Sequence, residues 1–122
     1  MDERIILLEN AHEKLEAAKN LFENEFYNDS VSRAYYAMFF AAKALLLRKN
    51  IHPKTHRGLI SQFGMEFVKN NEFKKELFDL LARAQEDREE ADYGLFSKIG
   101  ENEAKTIIKG AELFLDECEL LL

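Results

Sequence analysis

The residues from Leu77 to Gly94 read LFDLLARAQEDREEADYG, and this stretch decides the fold. When each residue advances about 100° around a helix, its apolar side chains form one stripe, which contains Leu77, Leu80, Leu81, Ala84 and Ala91. Arg88 lies on the same stripe, and Asp92 follows it by one turn. An unpaired buried guanidinium is costly, so this arginine must pair with a carboxylate, face a cleft or lie between subunits. The pattern leaves all three possibilities open.

The rest of the chain predicts four further helices and no strands. Apolar periodicity places them at about 2–25, 30–49, 55–69 and 101–121. Asp29 or Ser30 can cap the second helix, and Thr55 can cap the third. The fourth helix is expected to start near Glu72 and to end at Tyr93, with Gly94 well suited to the position after it. Pro occurs once and Gly five times, so the chain lacks the frequent turn residues that separate the strands of a β-rich protein. We expect an all-α fold, an antiparallel helical bundle of four to five helices that forms a single domain over residues 1–122.

The second of these helices, SVSRAYYAMFFAAKALLLRK, is apolar almost all round. A helix without a polar face lies at the centre of a bundle or between subunits. Tyr35, Tyr36, Phe39 and Phe40 occupy neighbouring turns, and two interpretations fit them. They pack in the core with their hydroxyl groups bonded, or they offer a stacking surface for a base beside Arg33.

The charge pattern is acidic overall and basic in one segment. A net charge of −6 argues against a surface for general nucleic-acid binding. The segment from Lys43 to Met65 contains no acid, and several bases leave room for a local anion site there. His52 and His56 are four residues apart, but Pro53 lies between them and no carboxylate or cysteine is near, so no metal site is predicted.

The remaining features of the sequence concern the cellular location of the protein and the role of its single cysteine. The chain starts MDERIILLEN, with acids where a signal peptide is positive. The longest apolar run falls short of the roughly 20 residues that span a bilayer. We therefore expect a cytoplasmic protein without a membrane segment. Cys118 lies on the apolar stripe of the last helix, where it is expected to be a small core residue.

Three stretches resemble the HEPN superfamily, in particular its small single-domain prokaryotic branch. They are SRAYYAMFFAAKALL at 32–46, HPKTHRGLISQFGMEFV at 52–68 and LLARAQEDREEADYG at 80–94. They follow the family's order and, together, span most of the chain. The resemblance implies a homodimer that associates with a small nucleotidyltransferase, often as a toxin and antitoxin pair, and it implies no cofactor.

Many HEPN proteins also carry an R-x4-6-H motif, whose Arg and His from two subunits meet in a dimer cleft and cleave RNA without a metal. Carried over by position, the arginine is Arg88, but Tyr93 stands where a motif histidine would be. In the related pattern R-x4-H-x-Y, the final tyrosine would fall at Leu95. Cleavage needs a group that accepts the 2′-hydroxyl proton near neutral pH, for which tyrosine is a poor substitute. His56 could enter the cleft from the third helix.

Three hypotheses follow. The first is a dimeric protein that binds nucleotide or RNA in an interfacial cleft and works with a nucleotidyltransferase, with ligand contacts from Arg88, Asp92, Tyr93, His56, Arg33 and Tyr36. The second is a metal-independent endoribonuclease toxin, with Arg88 on the phosphate and Tyr93 or His56 in proton transfer. The third is a non-catalytic interaction module, in which Arg88 and Asp92 form only a structural pair.

Overall fold

The computed structural model describes residues 2–93 and 98–122, apart from the side chain of Tyr93. Its helices are α1 (Glu3–Glu23), α2 (Tyr27–Arg48), α3 (His56–Phe63), α4 (Lys75–Tyr93) and α5 (Glu101–Leu121). One turn of π-helix, Gly64–Val68, continues α3. No strand occurs within these described ranges, which confirms the all-α prediction. The predicted helix end at Gly94 lies outside the described residues.

Contacts between helices show which way they run. His12 of α1 pairs with Glu119 of α5. Two turns later in α1, Nζ of Lys19 lies 3.9 Å from Oε1 of Glu112. The residue numbers increase on one helix as they decrease on the other, so α1 and α5 are antiparallel. The short link at 24–26 turns the chain back from α1 into α2, and these two helices pack along their length.

The nearly apolar helix α2 lies at the centre of the bundle, one of the two predicted positions. It packs against α1, α3, α4 and α5. Its buried residues are Ser30, Val31, Ala34, Tyr35, Ala37, Met38, Ala41, Ala42, Ala44, Leu45 and Leu46. Burial of so many apolar side chains accounts for this helix better than its intrinsic propensity does, because tertiary packing supplies most helical stability.

The predicted cap of α2 is wrong. The helix begins at Tyr27, so Asp29 and Ser30 lie within its first turn, and the N-cap position is held by Phe26 without a side-chain hydrogen bond. The Ser30 hydroxyl donates instead to the carbonyl of Ala18 on α1, at 2.8 Å. A buried hydroxyl needs a partner, and here the partner is supplied by the neighbouring helix.

The predicted cap of α3 is confirmed, and it places a candidate site residue. Thr55 Oγ1 accepts a hydrogen bond from the backbone N–H of Gly58 at 2.9 Å. This bond satisfies one of the free donors at the helix start. His56 is therefore the first residue of α3, beside α2.

Helix α4 begins later than expected, at Lys75 rather than near residue 72. The side chain of Phe73 is buried before it, and the backbone N–H of Lys74 donates to Glu117 of α5. Of the predicted stripe, Leu77, Leu81 and Ala84 are buried. The first half of α4 is thus an ordinary core element.

Small residues let α4 approach its neighbours. A side chain at Gly110 of α5 would collide with Leu80, and one at Gly64 would press on the ring of Phe78. Cys118 is fully buried as predicted, and burial raises the pKa of its thiol. Among the described residues, no helix is long and apolar enough to cross a membrane.

Candidate functional site

The second half of α4 carries Arg88 against α2. Its guanidinium carbon lies 5.3 Å from the ring centre of Tyr35 and 5.6 Å from that of Tyr36. The side chain is only 14% exposed. These distances are those of cation–π contacts, which stabilise a charge that is partly removed from water. The apolar stripe therefore predicts the inward direction of Arg88 correctly.

The polar contacts of Arg88 are few and long. Nε donates to Gln85 Oε1 and Nη1 to Asp92 Oδ2, both at 3.3 Å. The Asp92 side chain is 44% exposed, and a solvated pair of this kind on one helix contributes only a fraction of a kcal/mol. Nη2 makes no hydrogen bond within residues 2–93 and 98–122. The guanidinium keeps donors that a phosphate oxygen could accept.

His56 joins the same tyrosines from α3. Its Nδ1 lies 2.7 Å from the hydroxyl oxygen of Tyr35. Its ring stacks on Phe39, with 4.4 Å between centres, and meets the ring of Tyr36 edge-on. Within the described part of the chain, Nε2 of His56 has no hydrogen-bond partner. The imidazole is therefore held at Nδ1, and its Nε2 is available to a ligand.

The electrostatics of this cluster favour a neutral imidazole. Burial, and then the positive charge of Arg88, lower the pKa of His56 below its usual value, although Glu89 acts in the opposite direction. Burial raises the pKa of Tyr35, so its hydroxyl keeps its proton. A neutral imidazole beside a guanidinium can accept a proton from a bound ligand at pH 7.

Only part of the positive charge of the basic segment at 43–65 lies near this cluster. Arg57 reaches α4, where it lies 4.0 Å from Glu89. Lys49 pairs with Glu72 at 3.2 Å and covers the ring of Phe67, which is a structural role. His52 bonds Asn50 and stands apart from His56. In the described ranges, no three His, Cys, Asp or Glu side chains lie together as a metal site would require.

The structure gathers four of the predicted ligand residues: Arg88, Asp92, His56 and Tyr36. Arg33 lies one turn before Tyr36 on the exposed side of α2, where both line a cavity. The side chain of Tyr93, predicted as a catalytic and ligand residue, lies outside the described residues.

Sequence reasoning grouped Tyr35 and Phe39 with Tyr36 on neighbouring turns of α2 but did not name them as site residues. It missed Gln85 and Glu89 as parts of this cluster. The contact of Tyr35 with His56 had no signal in the sequence, because it depends on where α3 is placed.

A second charged cluster lies on the other side of α4, against α5. Arg83 donates to both carboxylate oxygens of Glu103, from Nε at 2.8 Å and from Nη2. Oδ2 of Asp87 is buried and has no hydrogen-bond partner in the part of the chain described. Burial first, and then the neighbouring carboxyl group of Glu103, raise the pKa of Asp87 to about 7. This cluster was not predicted, since Asp87 was not assigned a role.

Comparison with known proteins places these features in a family. The family model of the HEPN domain matches residues 6–121. Two Methanocaldococcus jannaschii proteins, named "Putative toxin MJ0142" and "Putative toxin MJ0605", are 42% and 47% identical to the chain. Each alignment covers 95% of this chain, and 79% and 86% of those proteins. A Thermotoga maritima protein named "UPF0332 protein" is 40% identical over 92% of this chain and 85% of its own length.

Proposed function

We propose, because this chain belongs to the HEPN family, that it is a dimeric protein that binds nucleotide or RNA in an interfacial cleft at Arg88. In this proposal it works with a small nucleotidyltransferase in a toxin–antitoxin-like pair. The dimer and the partner follow from the resemblance of its motifs to the family. The toxin names of two relatives point in the same direction.

The observation that carries the proposal is the environment of Arg88. Its flat face is held by two tyrosine rings, while its edge makes two long hydrogen bonds and, within the described residues, leaves Nη2 without a partner. A guanidinium needs two parallel donors to grip a phosphate, and it must be oriented before the ligand arrives. The rings orient Arg88 without consuming its hydrogen bonds. A purely structural arginine is expected to donate two parallel hydrogen bonds to one carboxylate, as Arg83 does to Glu103.

Calorimetric titration with a short single-stranded RNA and with ATP tests this proposal. Wild type is expected to bind at least one of them, and Arg88→Ala is expected to abolish that binding. Arg83→Ala removes the same charge from the same helix and is the matched control. If Arg88→Ala lowers the melting temperature but leaves ligand binding unchanged, the interaction-module hypothesis is correct instead.

The dimer and the partner need their own measurements. Light scattering coupled to size exclusion should give twice the chain mass, and a monomer at all concentrations would contradict the interfacial cleft. Titration of the protein against a small nucleotidyltransferase should give a complex of defined stoichiometry. The absence of any complex would remove the partner from the proposal.

The second candidate function is metal-independent endoribonuclease activity, and the placement of His56 is the observation that favours it. With Nδ1–H donating to the Tyr35 hydroxyl oxygen, Nε2 would be the unprotonated nitrogen and would accept the proton of a ribose 2′-hydroxyl. The resulting 2′-oxygen would attack phosphorus, and the 5′-oxygen would leave with a proton from water. Arg88 would stabilise the charge that develops on the phosphate oxygens. The products would be a 2′,3′-cyclic phosphate and a free 5′-hydroxyl.

An RNA cleavage assay in the presence of EDTA, with the partner absent, distinguishes this function. His56→Gln should slow cleavage by about 100-fold or more, as removal of a general base does. His52→Gln, which changes an exposed histidine outside the cluster, should leave the rate unchanged. RNA that stays intact with wild type would reject the ribonuclease function and leave the binding function untouched.

A further inference from the structure

A cavity lies beside the Arg88 cluster, along the exposed side of α2. Its volume is about 430 Å³, and it is lined by Leu21, Asp29, Ser32, Arg33 and Tyr36. Tyr36 also contacts Arg88 and His56. Its side chain therefore belongs both to the cavity and to the Arg88 cluster. A ligand bound at Arg88 could extend past Tyr36 into this space.

The two charged groups of this cavity are not paired with each other. Asp29 and Arg33 are four residues apart on one helix face, a spacing at which opposite charges commonly bond. No ion pair joins them, and neither side chain makes a hydrogen bond within residues 2–93 and 98–122. Arg33 therefore has all its donors available, and Asp29 its acceptors.

This combination of groups fits a nucleotide better than a bare anion. A lone phosphate would be attracted by Arg33 but repelled by Asp29. A ribose hydroxyl, in contrast, donates a hydrogen bond that a carboxylate accepts, and it is the group that distinguishes RNA from DNA. Arg33 and Tyr36 are three residues apart and so are neighbours on the helix surface. The cavity thus offers a cation, a hydroxyl acceptor and an aromatic ring together.

We propose that the cavity at Arg33 is a second nucleotide subsite, so that the ligand is single-stranded RNA lying across Tyr36. One phosphate contacts Arg88, the adjacent phosphate contacts Arg33, and Asp29 accepts a hydrogen bond from a ribose hydroxyl. This inference rests on the proposed function, because it requires a phosphate at Arg88. It names the substrate class as RNA with at least two consecutive phosphates, rather than a mononucleotide.

Titration of uridine monophosphate and of the 5′-phosphorylated dinucleotide pUpU separates one subsite from two. Wild type should bind pUpU at least tenfold more tightly, because a hydrogen bond to a charged group contributes about 1.5–3 kcal/mol and 1.4 kcal/mol is tenfold. Arg33→Gln should remove this advantage while it changes the affinity for the monophosphate by less than about threefold. Lys109→Gln, which removes one exposed positive charge from α5, is the control and should change neither affinity.

Salt dependence gives a second measurement that a general charge effect would not reproduce. Each phosphate contacted on a single strand contributes about 0.7 to the slope of log affinity against log salt. The slope for a single-stranded oligouridylate that is long enough to condense counterions should fall by about that amount in Arg33→Gln and stay unchanged in Lys109→Gln. Equal slopes for wild type and Arg33→Gln would overturn the contact between Arg33 and the second phosphate.

The remaining outcomes separate this inference from the proposed function. If the monophosphate binds and Arg88→Ala abolishes that binding, but pUpU binds no more tightly, the second subsite is wrong and the proposed function stands. If neither ligand binds to wild type, both are overturned. Wild type should also bind pUpU about tenfold more tightly than its deoxy form, and Asp29→Asn should reduce that ratio. Equal affinities of wild type for the two forms would overturn the role of Asp29.

Discussion

Helix α4 carries two arginines, Arg83 and Arg88, in opposite situations. Arg83 faces α5 and donates two hydrogen bonds to one carboxylate, that of Glu103. Arg88 faces α2, rests on two aromatic rings and makes two long hydrogen bonds to different residues. The more exposed arginine is the one with the bidentate carboxylate partner: the side chains are 50% and 14% exposed. Burial therefore does not identify the structural arginine, whereas the geometry of its hydrogen bonds does.

The two sides of α4 also respond to pH in opposite directions. On the α5 side, the pKa of Asp87 is raised to about 7, so the folded state favours the protonated acid. On the α2 side, the pKa of His56 is lowered, so the folded state favours the neutral base. A rise in pH through the neutral range therefore lowers the contribution of Asp87 to the free energy of unfolding, but it does not lower the contribution of His56. Stability measured against pH can therefore separate the two clusters.

The largest expected effect is the contrast between Arg88→Ala and Arg83→Ala in RNA affinity. Arg88→Ala should weaken binding of a short single-stranded RNA by about 100-fold, which corresponds to one or two charge-assisted hydrogen bonds. Arg83→Ala should change it by less than about twofold and should instead lower the free energy of unfolding by about 1 kcal/mol. Calorimetry and urea unfolding measure the two quantities. Equal losses of affinity in both variants would contradict the distinction between the two arginines.

A smaller effect is expected from Tyr36, whose ring the Arg88 cluster shares with the cavity at Arg33. Tyr36→Leu keeps an apolar side chain but removes the ring, and should weaken RNA binding about tenfold, because stacking of a base is worth about 1–3 kcal/mol. Tyr27→Leu changes another half-buried tyrosine of α2, which packs on Phe22, and serves as the control. Fluorescence titration with a labelled RNA measures both. Unchanged affinity in Tyr36→Leu would exclude stacking on this ring.

Asp87→Asn should change how stability depends on pH on the α5 side of α4. A raised pKa means that the contribution of Asp87 is fully present below its unfolded value, near 3.9, and is lost as pH rises through about 7. The gain in melting temperature of Asp87→Asn over wild type should therefore grow from pH 5 to pH 8. Glu103 has a lowered pKa and stays ionised in this window. A gain that does not vary with pH would show that Asp87 is not the titrating group.

The smallest effect is expected from His56, with the opposite sign. A lowered pKa means that its contribution is present above the unfolded value, near 6.5, and is lost as pH falls through the folded value. The free energy of unfolding of wild type relative to His56→Gln should therefore fall on acidification from pH 7 to pH 5, because the opposite contribution of Asp87 is common to both proteins. His52→Gln, at an exposed position, should follow wild type. Parallel curves for His56→Gln and wild type would contradict the assignment.

Local pattern predicted much of this fold because helix periodicity and caps depend on neighbouring residues. The last helix begins and ends where the pattern places it, the Thr55 cap is confirmed, and Arg88 points inward. The cap at Asp29 or Ser30 was wrong for a reason that no local pattern contains. The Ser30 hydroxyl bonds Ala18 on another helix, and a hydroxyl that can cap can equally serve a tertiary contact.

The sequence by itself determined the helical class, the family and the arginine on which the proposed function rests. Tertiary structure alone decided what surrounds that arginine. The hydrogen bond between Tyr35 and His56 spans α2 and α3, and the cavity at Arg33 depends on how α1 lies against α2. Each depends on the relative placement of helices that are separate in the chain. The apolar periodicity of a sequence predicts which face of a helix is buried, but it does not predict which residues of a neighbouring helix that face contacts.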